Sequence, residues 1–281
     1  KNNTNYKCHN CGASMSFNNL LKQLDAVLHK QYVMEKFKEG HAGKNYPTPK
    51  PDLKFTKPVF NKKEKVDLPK ASTNPYAKKY LEERQLDPDK FYYAEKFKKW
   101  ANTKAKAFDN TQYDEPRIII PMYDVDKNLI GFQGRAIRKN DVKYITIMID
   151  KDHPKVYGLD TIDTSKTVYV VEGPFDSNFV KNCIAMCGAD VSLDELEIQD
   201  LVYVYDNEPR NREICNRISK VIDRGDKLVI FPQTVQEKDI NDMHLAGHNV
   251  MSLLESKTYQ ALEAKIKFNE WKRSEEHTSE L

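Results

Sequence analysis

Between residues 167 and 231 the chain alternates short apolar runs with helix-sized segments. Thr167–Val171 (TVYVV), Cys183–Met186 (CIAM), Leu201–Tyr205 (LVYVY) and Lys227–Phe231 (KLVIF) are rich in β-branched and aromatic residues, with no polar alternate face. That is the pattern of short, fully buried strands. Pro209–Arg224 carries Ile214, Ile218 and Val221 at helical spacing and stops at Gly225. A helix-compatible run follows Gly173-Pro174, where the glycine permits a tight turn and the proline suits a first helical position. A helix-like tail runs on to Trp271. Strands separated by helix-sized segments predict an α/β fold around a mostly parallel sheet.

Upstream the pattern changes. Arg117–Tyr123 (RIIIPMY) reads as a buried strand interrupted by a proline. After a turn at Val125–Lys127 come a partner strand, Leu129–Arg138 (LIGFQGRAIR), and a further one, Asp141–Ile149 (DVKYITIMI), giving short antiparallel strands. Pro75–Trp100 reads as amphipathic helix, with Leu86-Asp87-Pro88 marking a turn before Phe91–Phe97. The pattern lapses over residues 40–74, where Pro47, Pro49, Pro51, Pro58 and Pro69 stand among lysines, with Pro75 at the border; this predicts an extended tether. Asn18–Lys38 reads as one helix with Leu20, Leu21, Leu24, Val27, Leu28 and Tyr32 on a stripe.

Charge sharpens this division. Residues 1–110 hold 23 Lys/Arg against 12 Asp/Glu, and residues 111–281 hold 22 against 30, so a net charge of +3 conceals a basic front and an acidic back. Such a chain suits a grip on a polyanion in one part and divalent metal in another, although an ordinary lysine-rich surface has the same balance. There is no apolar run of membrane-spanning length and no signal-peptide pattern, and the expectation is a soluble, cytoplasmic protein. Five cysteines, an odd number, do not suggest a disulfide framework. Cys8 and Cys11 have the C-x-x-C-G spacing of a zinc knuckle, but a tetrahedral site needs four ligands and no second C-x-x-C occurs. The chain opens at Lys1, without Met, almost directly into this knuckle, and is read as lacking the first half of a zinc ribbon. Residues 273–281 (RSEEHTSEL) resemble the translation of a common sequencing adapter and are set aside as a non-native tail.

The chemistry collects at the strand ends. Glu172 follows the first strand, at the carboxyl edge where open α/β sheets place their sites, and Asp176 lies one turn on. A strand, a turn and a dipole-favoured acid would look the same. Two further acidic clusters, Asp206/Glu208 and Asp239/Asp242, lie beyond the ends of two other strands. Residues two apart at a strand end point to one side, so Asp206 and Glu208 can converge. Crowded carboxylates repel unless cations neutralise them, and hard oxygen ligands completed by substrate phosphates describe Mg2+ or Mn2+ rather than zinc. A two-ion clamp of this kind serves phosphoryl chemistry. Arg135, Arg138, Lys139, Lys143 and Lys155 on or near the antiparallel strands make a basic floor suited to phosphate contacts.

E-G-x-x-D, then D-x-D or a close variant, then K-D resembles the signature of the TOPRIM fold, found in bacterial-type primases, type IA and II topoisomerases and some nucleases. LIGFQGRAIR, VKYITI and KVYGLD resemble the basic subdomain that precedes TOPRIM in bacterial and phage primases, and KDINDMHLAGH is most similar to phage primases of the T-even group. The resemblance covers nearly everything from Tyr6 to Lys272, departing at Glu208, where many members have Asp, and at the half ribbon. It implies a TOPRIM domain over 166–248, preceded by a half zinc ribbon with its helix (1–39), a linker (40–74) and a basic α+β subdomain (75–165), and followed by a helical segment (249–272). It implies a DNA-directed RNA polymerase making short RNA primers on single-stranded DNA. Glu172 and Asp176 are then catalytic, Glu172 as the base for the attacking 3′-hydroxyl. Asp206, Glu208 and Asp239, supported by Asp242, hold Mg2+ or Mn2+. Arg135, Lys143 and Lys155 bind template or ribonucleoside triphosphate, and Cys8 and Cys11 bind Zn2+ in the intact protein. A replicative helicase is the implied partner, and the host cytoplasm the location if a phage encodes the chain. The competing readings are a TOPRIM metal-dependent nuclease, which has no need of the Gly131–Tyr144 segment, and a non-catalytic nucleic-acid adaptor, which has no need of three acidic clusters.

Overall fold

The structure is a computed structural model that describes residues 5–7, 14–39, 65–138, 142–188, 193, 196 and 198–273. The chain divides into two compact units, Lys1–Phe60 and Asn61–Leu281. No helix among the described residues is long and apolar enough to cross a membrane.

In the first unit a small hairpin, β1 (Asn5–Lys7) and β2 (Ser14–Ser16), precedes α1 (Phe17–Leu24) and α2 (Ala26–Lys38). The single helix expected over residues 18–38 is two helices. Asp25 takes an extended backbone, and its Oδ1 accepts the N–H groups of Val27 and Leu28 at 2.8 and 3.0 Å. A short acid that caps so well starts a new helix rather than continuing the old one. The zinc-knuckle residues Cys8 and Cys11 lie outside the described residues.

The second unit holds two sheets. Strands β3 (Tyr92–Ala94), β4 (Arg117–Tyr123), β5 (Leu129–Ala136) and β6 (Tyr144–Met148) form an antiparallel sheet in that order. Two helices cover it, α3 (Pro75–Glu82) and α4 (Phe97–Lys104). Ile118 and Ile120 pack with Leu81 and Phe91 on the α3 side, and Ile119 and Phe132 with Phe97 and Trp100 on the α4 side. The turn expected at Leu86-Asp87-Pro88 is present as a 3-10 turn opened by Pro88, but the helix ends at Glu82 and resumes only at Phe97, and the aromatic pair Tyr92-Tyr93 between them joins the sheet edge. Lys70, within the expected linker, bridges to Tyr92, and Ala71 beside it is buried. Pro121 does not interrupt β4. Its partner β3 pairs only with Arg117–Ile119, so no ladder donor is required on that side at Pro121.

The larger sheet has the order β12-β11-β10-β8-β9-β7, comprising β7 (Val156–Tyr157), β8 (Val168–Val171), β9 (Cys183–Met186), β10 (Leu201–Tyr203), β11 (Lys227–Val229) and β12 (Thr258–Tyr259). Its four inner strands are parallel and its two edges antiparallel, which is the mostly parallel sheet expected of a TOPRIM domain. Both edge strands come from outside 166–248. Val168 and Val170 face α5 (Arg212–Arg224) and α8 (Ala261–Arg273), whereas Tyr169 and Val171 face α6 (Ile240–Leu245) and α7 (Val250–Ser256). Burial on both sides is why these strands read as unbroken apolar runs. Asn211 caps the start of α5, and Gly225 ends it at φ 80°, a left-handed turn that favours glycine.

The helix expected after Pro174 is a single 3-10 turn, Asp176–Phe179. Ser177 Oγ and Asn178 Nδ2 both donate to the Pro174 carbonyl at 2.8 Å, and Val180 has already returned to extended backbone. Short polar side chains compete here for the carbonyl that a longer helix would use.

Candidate active site

Glu172, Asp176, Asp206 and Glu208 follow the carboxyl ends of the adjacent strands β8 and β10. Glu172 is half-buried, and Arg217 Nη1, from α5, donates to its Oε1 at 3.1 Å. Arg217 is also paired with Glu213 one helical turn away. Burial raises the Glu172 pKa above the ordinary carboxylate value; Arg217 opposes the shift and Glu208 adds to it. Asp176 curls back beneath Gly173, so closely that a Cβ at residue 173 would stand 2.5 Å from Asp176 Oδ2. A side chain at residue 173 would therefore have to displace the Asp176 carboxylate. Asp176 Oδ1 accepts the Asn241 N–H at 3.0 Å, while burial and then the Asp239 charge push its pKa up to about 8. Burial and the Glu172 charge push Asp206 up to about 7.

Asp206 and Glu208 both reach the Lys238 ammonium, at 3.8 and 3.2 Å. Asp239 caps α6, accepting the Asp242 N–H at 2.8 Å, and Asp242 has its pKa raised by burial and by Asp239. A structural cap and a place in the cluster coincide in Asp239.

Three of these acids meet a cationic wall. A cavity of about 200 Å³ is lined by Arg84, Arg135, Lys143 and Tyr144, with Glu83 beside them, and by Asp176, Asp239 and Asp242; Glu172, Asp206 and Glu208 are not in its lining. Arg135 is buried on β5; its Nε donates to Tyr80 Oη at 2.9 Å and its guanidinium lies 4.4 Å from the Tyr144 ring centre. Desolvation and the neighbouring Arg135 charge lower the Lys143 pKa. Lys155 is not in this wall. It is exposed, beside β7, where its carbonyl accepts the Cys187 N–H at the outer edge of the larger sheet.

Arg84, Arg217 and Asn241 belong to the site without having been read from the sequence. Arg84 stacks on Tyr80, 3.9 Å from the ring centre, an i, i+4 aromatic–arginine spacing that was available as a signal. Its carbonyl accepts from Asn241 Nδ2 at 3.0 Å, fastening the turn after α3 to α6. Nothing local marks Arg217 or Asn241.

Among the described residues no three Asp, Glu, His or Cys side chains close into a metal cage by themselves. The cluster offers an open donor set instead. Asp206 and Glu208 already share one cation, the lysine ammonium, and their hard oxygens suit a divalent ion completed by phosphate oxygens and water.

No protein-family model matches the chain. The fold is similar to the zinc-binding and RNA polymerase domains of the Aquifex aeolicus primase (TM-score 0.51, 17% identity, covering 96% of this chain and 78% of that one). It is similar also to the catalytic core of the E. coli primase (TM-score 0.53, 16% identity, 70% and 78%). A third likeness is to a DnaG primase catalytic domain bound to single-stranded DNA (TM-score 0.52, 16% identity, 71% and 77%). At these identities the likeness is one of fold. The sequence itself is 30% identical over 284 residues to the DNA primase of Enterobacteria phage T4, covering 96% of this chain and 82% of that protein. With that identity over nearly its whole length, the chain belongs to the DNA primase family, the DNA-dependent RNA polymerases that make RNA primers for replication.

Proposed function

We propose that the cavity between the acidic and cationic walls is the nucleotidyl-transfer site of this primase. The observation that carries the reading is the opposition itself: Arg84, Arg135 and Lys143 face Asp176, Asp239 and Asp242 across about 200 Å³. The cationic wall binds the triphosphate of the incoming ribonucleotide, for which planar guanidinium groups are well matched. Lys155, on the outer edge of the same unit, contacts the template. Asp206, Glu208 and Asp239 hold Mg2+ or Mn2+, with Asp176 and Asp242 in support. Held by these carboxylates, a divalent ion would supply charge neutralisation for the transferring phosphoryl group.

Glu172 accepts the proton of the attacking 3′-hydroxyl. Burial has raised its proton affinity toward the working range of a general base, and Arg217 fixes the orientation of its carboxylate. The 3′-oxygen bonds to the α-phosphorus, the bond to the β-phosphate oxygen breaks, and pyrophosphate departs along the cationic wall. The template is single-stranded DNA, the ligand carried by one solved relative. Zn2+ at Cys8 and Cys11, a replicative helicase partner and action in the host cytoplasm complete the proposal.

Incubating the protein with single-stranded DNA, Mg2+ and labelled ribonucleotides tests the reading. Short RNA that depends on template and metal is expected. Metal-dependent cleavage of the DNA without ribonucleotides, and no RNA, would instead identify a TOPRIM nuclease.

A further inference from the structure

Lys238 stands within the acidic cluster. Its Nζ lies 3.2 Å from Glu208 Oε2 and 3.8 Å from Asp206 Oδ2, so one ammonium bridges the two carboxylates assigned above to the divalent ion. The main chain beneath it is fastened on both sides. Asn207, between the two acids, donates its N–H to the Lys238 carbonyl at 2.6 Å and its side-chain amide to the carbonyls of Val235 and Glu237 at 2.9 and 3.1 Å. Asn207 Oδ1 in turn accepts the Trp271 indole N–H from α8 at 2.8 Å. Asp239, the next residue, caps α6. The Lys238 side chain is by contrast 52% exposed. Its flexible four-carbon stem can leave while its backbone stays.

An ammonium and a divalent ion cannot use the same carboxylate lone pairs, and like charges at such separations repel. Without either, Asp206 and Glu208 would face each other unneutralised. We propose that Lys238 is a resident counter-ion: it holds Asp206 and Glu208 in place in the metal-free protein, competes with the divalent ion for them, and is displaced when the ion binds. This rests on reading Asp206 and Glu208 as metal ligands.

Mn2+ binding to the metal-stripped full chain, followed by electron paramagnetic resonance without nucleotide, tests the proposal independently of activity. Lys238→Met, or Lys238→Gln as a second neutral variant, is expected to bind Mn2+ roughly three- to tenfold more tightly than wild type, the range for removing a half-exposed pair of ionic contacts. Lys238→Arg keeps the charge and should stay near wild type. Thermal unfolding gives a second readout: the neutral variants unfold below wild type in EDTA, and saturating Mn2+ closes the gap. Unchanged or weaker Mn2+ affinity in both neutral variants, with Asp206→Asn still abolishing binding, overturns the counter-ion role and leaves the metal site standing. Mn2+ affinity that Asp206→Asn does not alter overturns the metal reading, and the counter-ion role with it.

Discussion

Arg117 and Arg135 leave neighbouring strands of one antiparallel sheet, are 1% and 7% exposed, and face opposite fates. Arg117 is closed by its own fold. It donates to the carbonyls of Gly134 and Val142 at 2.9 Å each and to the Glu115 carboxylate, with its guanidinium over Phe97 on the α4 side. Arg135, on the α3 side, is braced by Tyr80 and Tyr144 and opens on a cavity walled opposite by carboxylates. A buried charge completed by backbone and counter-ion stabilises a fold. One held rigid but left facing a cavity is presented to a ligand. The same division runs through the acids: Asp25 spends its carboxylate on a helix cap, whereas Asp206 is crowded by other acids and held by a lysine.

The sharpest test of this contrast is at Glu172, an acid of the cluster held by Arg217. Glu172→Gln should lower primer synthesis by about 10²- to 10⁴-fold, the range for removing a general base, while single-stranded DNA binding is kept. Loss of binding and synthesis together would place Glu172 among the closed, structural charges. Arg117→Met should lower the unfolding free energy by about 3 kcal/mol, because a half-exposed carboxylate and two carbonyls lose their buried donor. A denaturant midpoint close to wild type would remove the distinction between the two arginines.

The open acids also predict a pH dependence. Asp176 near 8 and Asp206 near 7 lie above their unfolded values, so the folded, metal-free protein holds protons that the unfolded chain has released. Its stability in EDTA should therefore fall as pH rises from about 5 toward 8, through the folded pKa values. Asp176→Asn should flatten that slope, and melting temperatures rising over the interval would contradict it. The smallest effect is expected at Trp271. Trp271→Phe removes the bond to Asn207 Oδ1, costing about 1 kcal/mol and raising the Mg2+ concentration needed for half-maximal synthesis.

What was legible in the sequence follows the same division between local and distant causes. Strands β8, β10 and β11 announced themselves because both faces are buried, which leaves an apolar run with no polar alternation. Glu172 and Asp206 were legible because strand ends lie at predictable places, whereas Asp239 stands well beyond β11 as the cap of α6; Gly173 read as a tight turn, and the carboxylate of Asp176 beneath it is visible only in the fold. Arg217 and Asn241 were not, since their partners lie 45 and 157 residues away and only the tertiary fold brings them together. Lys155 shares the basic character of Arg135 but occupies an outer edge that charge alone does not distinguish. The helices misread at residues 18–38 and after Pro174 failed for local reasons: an Asp25 cap in one, and Ser177 and Asn178 taking a backbone carbonyl in the other.

Titration of a non-hydrolysable ribonucleoside triphosphate with Mg2+ into wild type, Arg135→Met and Arg117→Met tests the central claim most directly. Arg135→Met should bind the triphosphate about 10- to 100-fold more weakly, the range for lost charge-assisted hydrogen bonds, with unfolding free energy within about 1 kcal/mol of wild type. Triphosphate affinity unchanged in Arg135→Met, or a loss of stability matching that of Arg117→Met, would contradict the account.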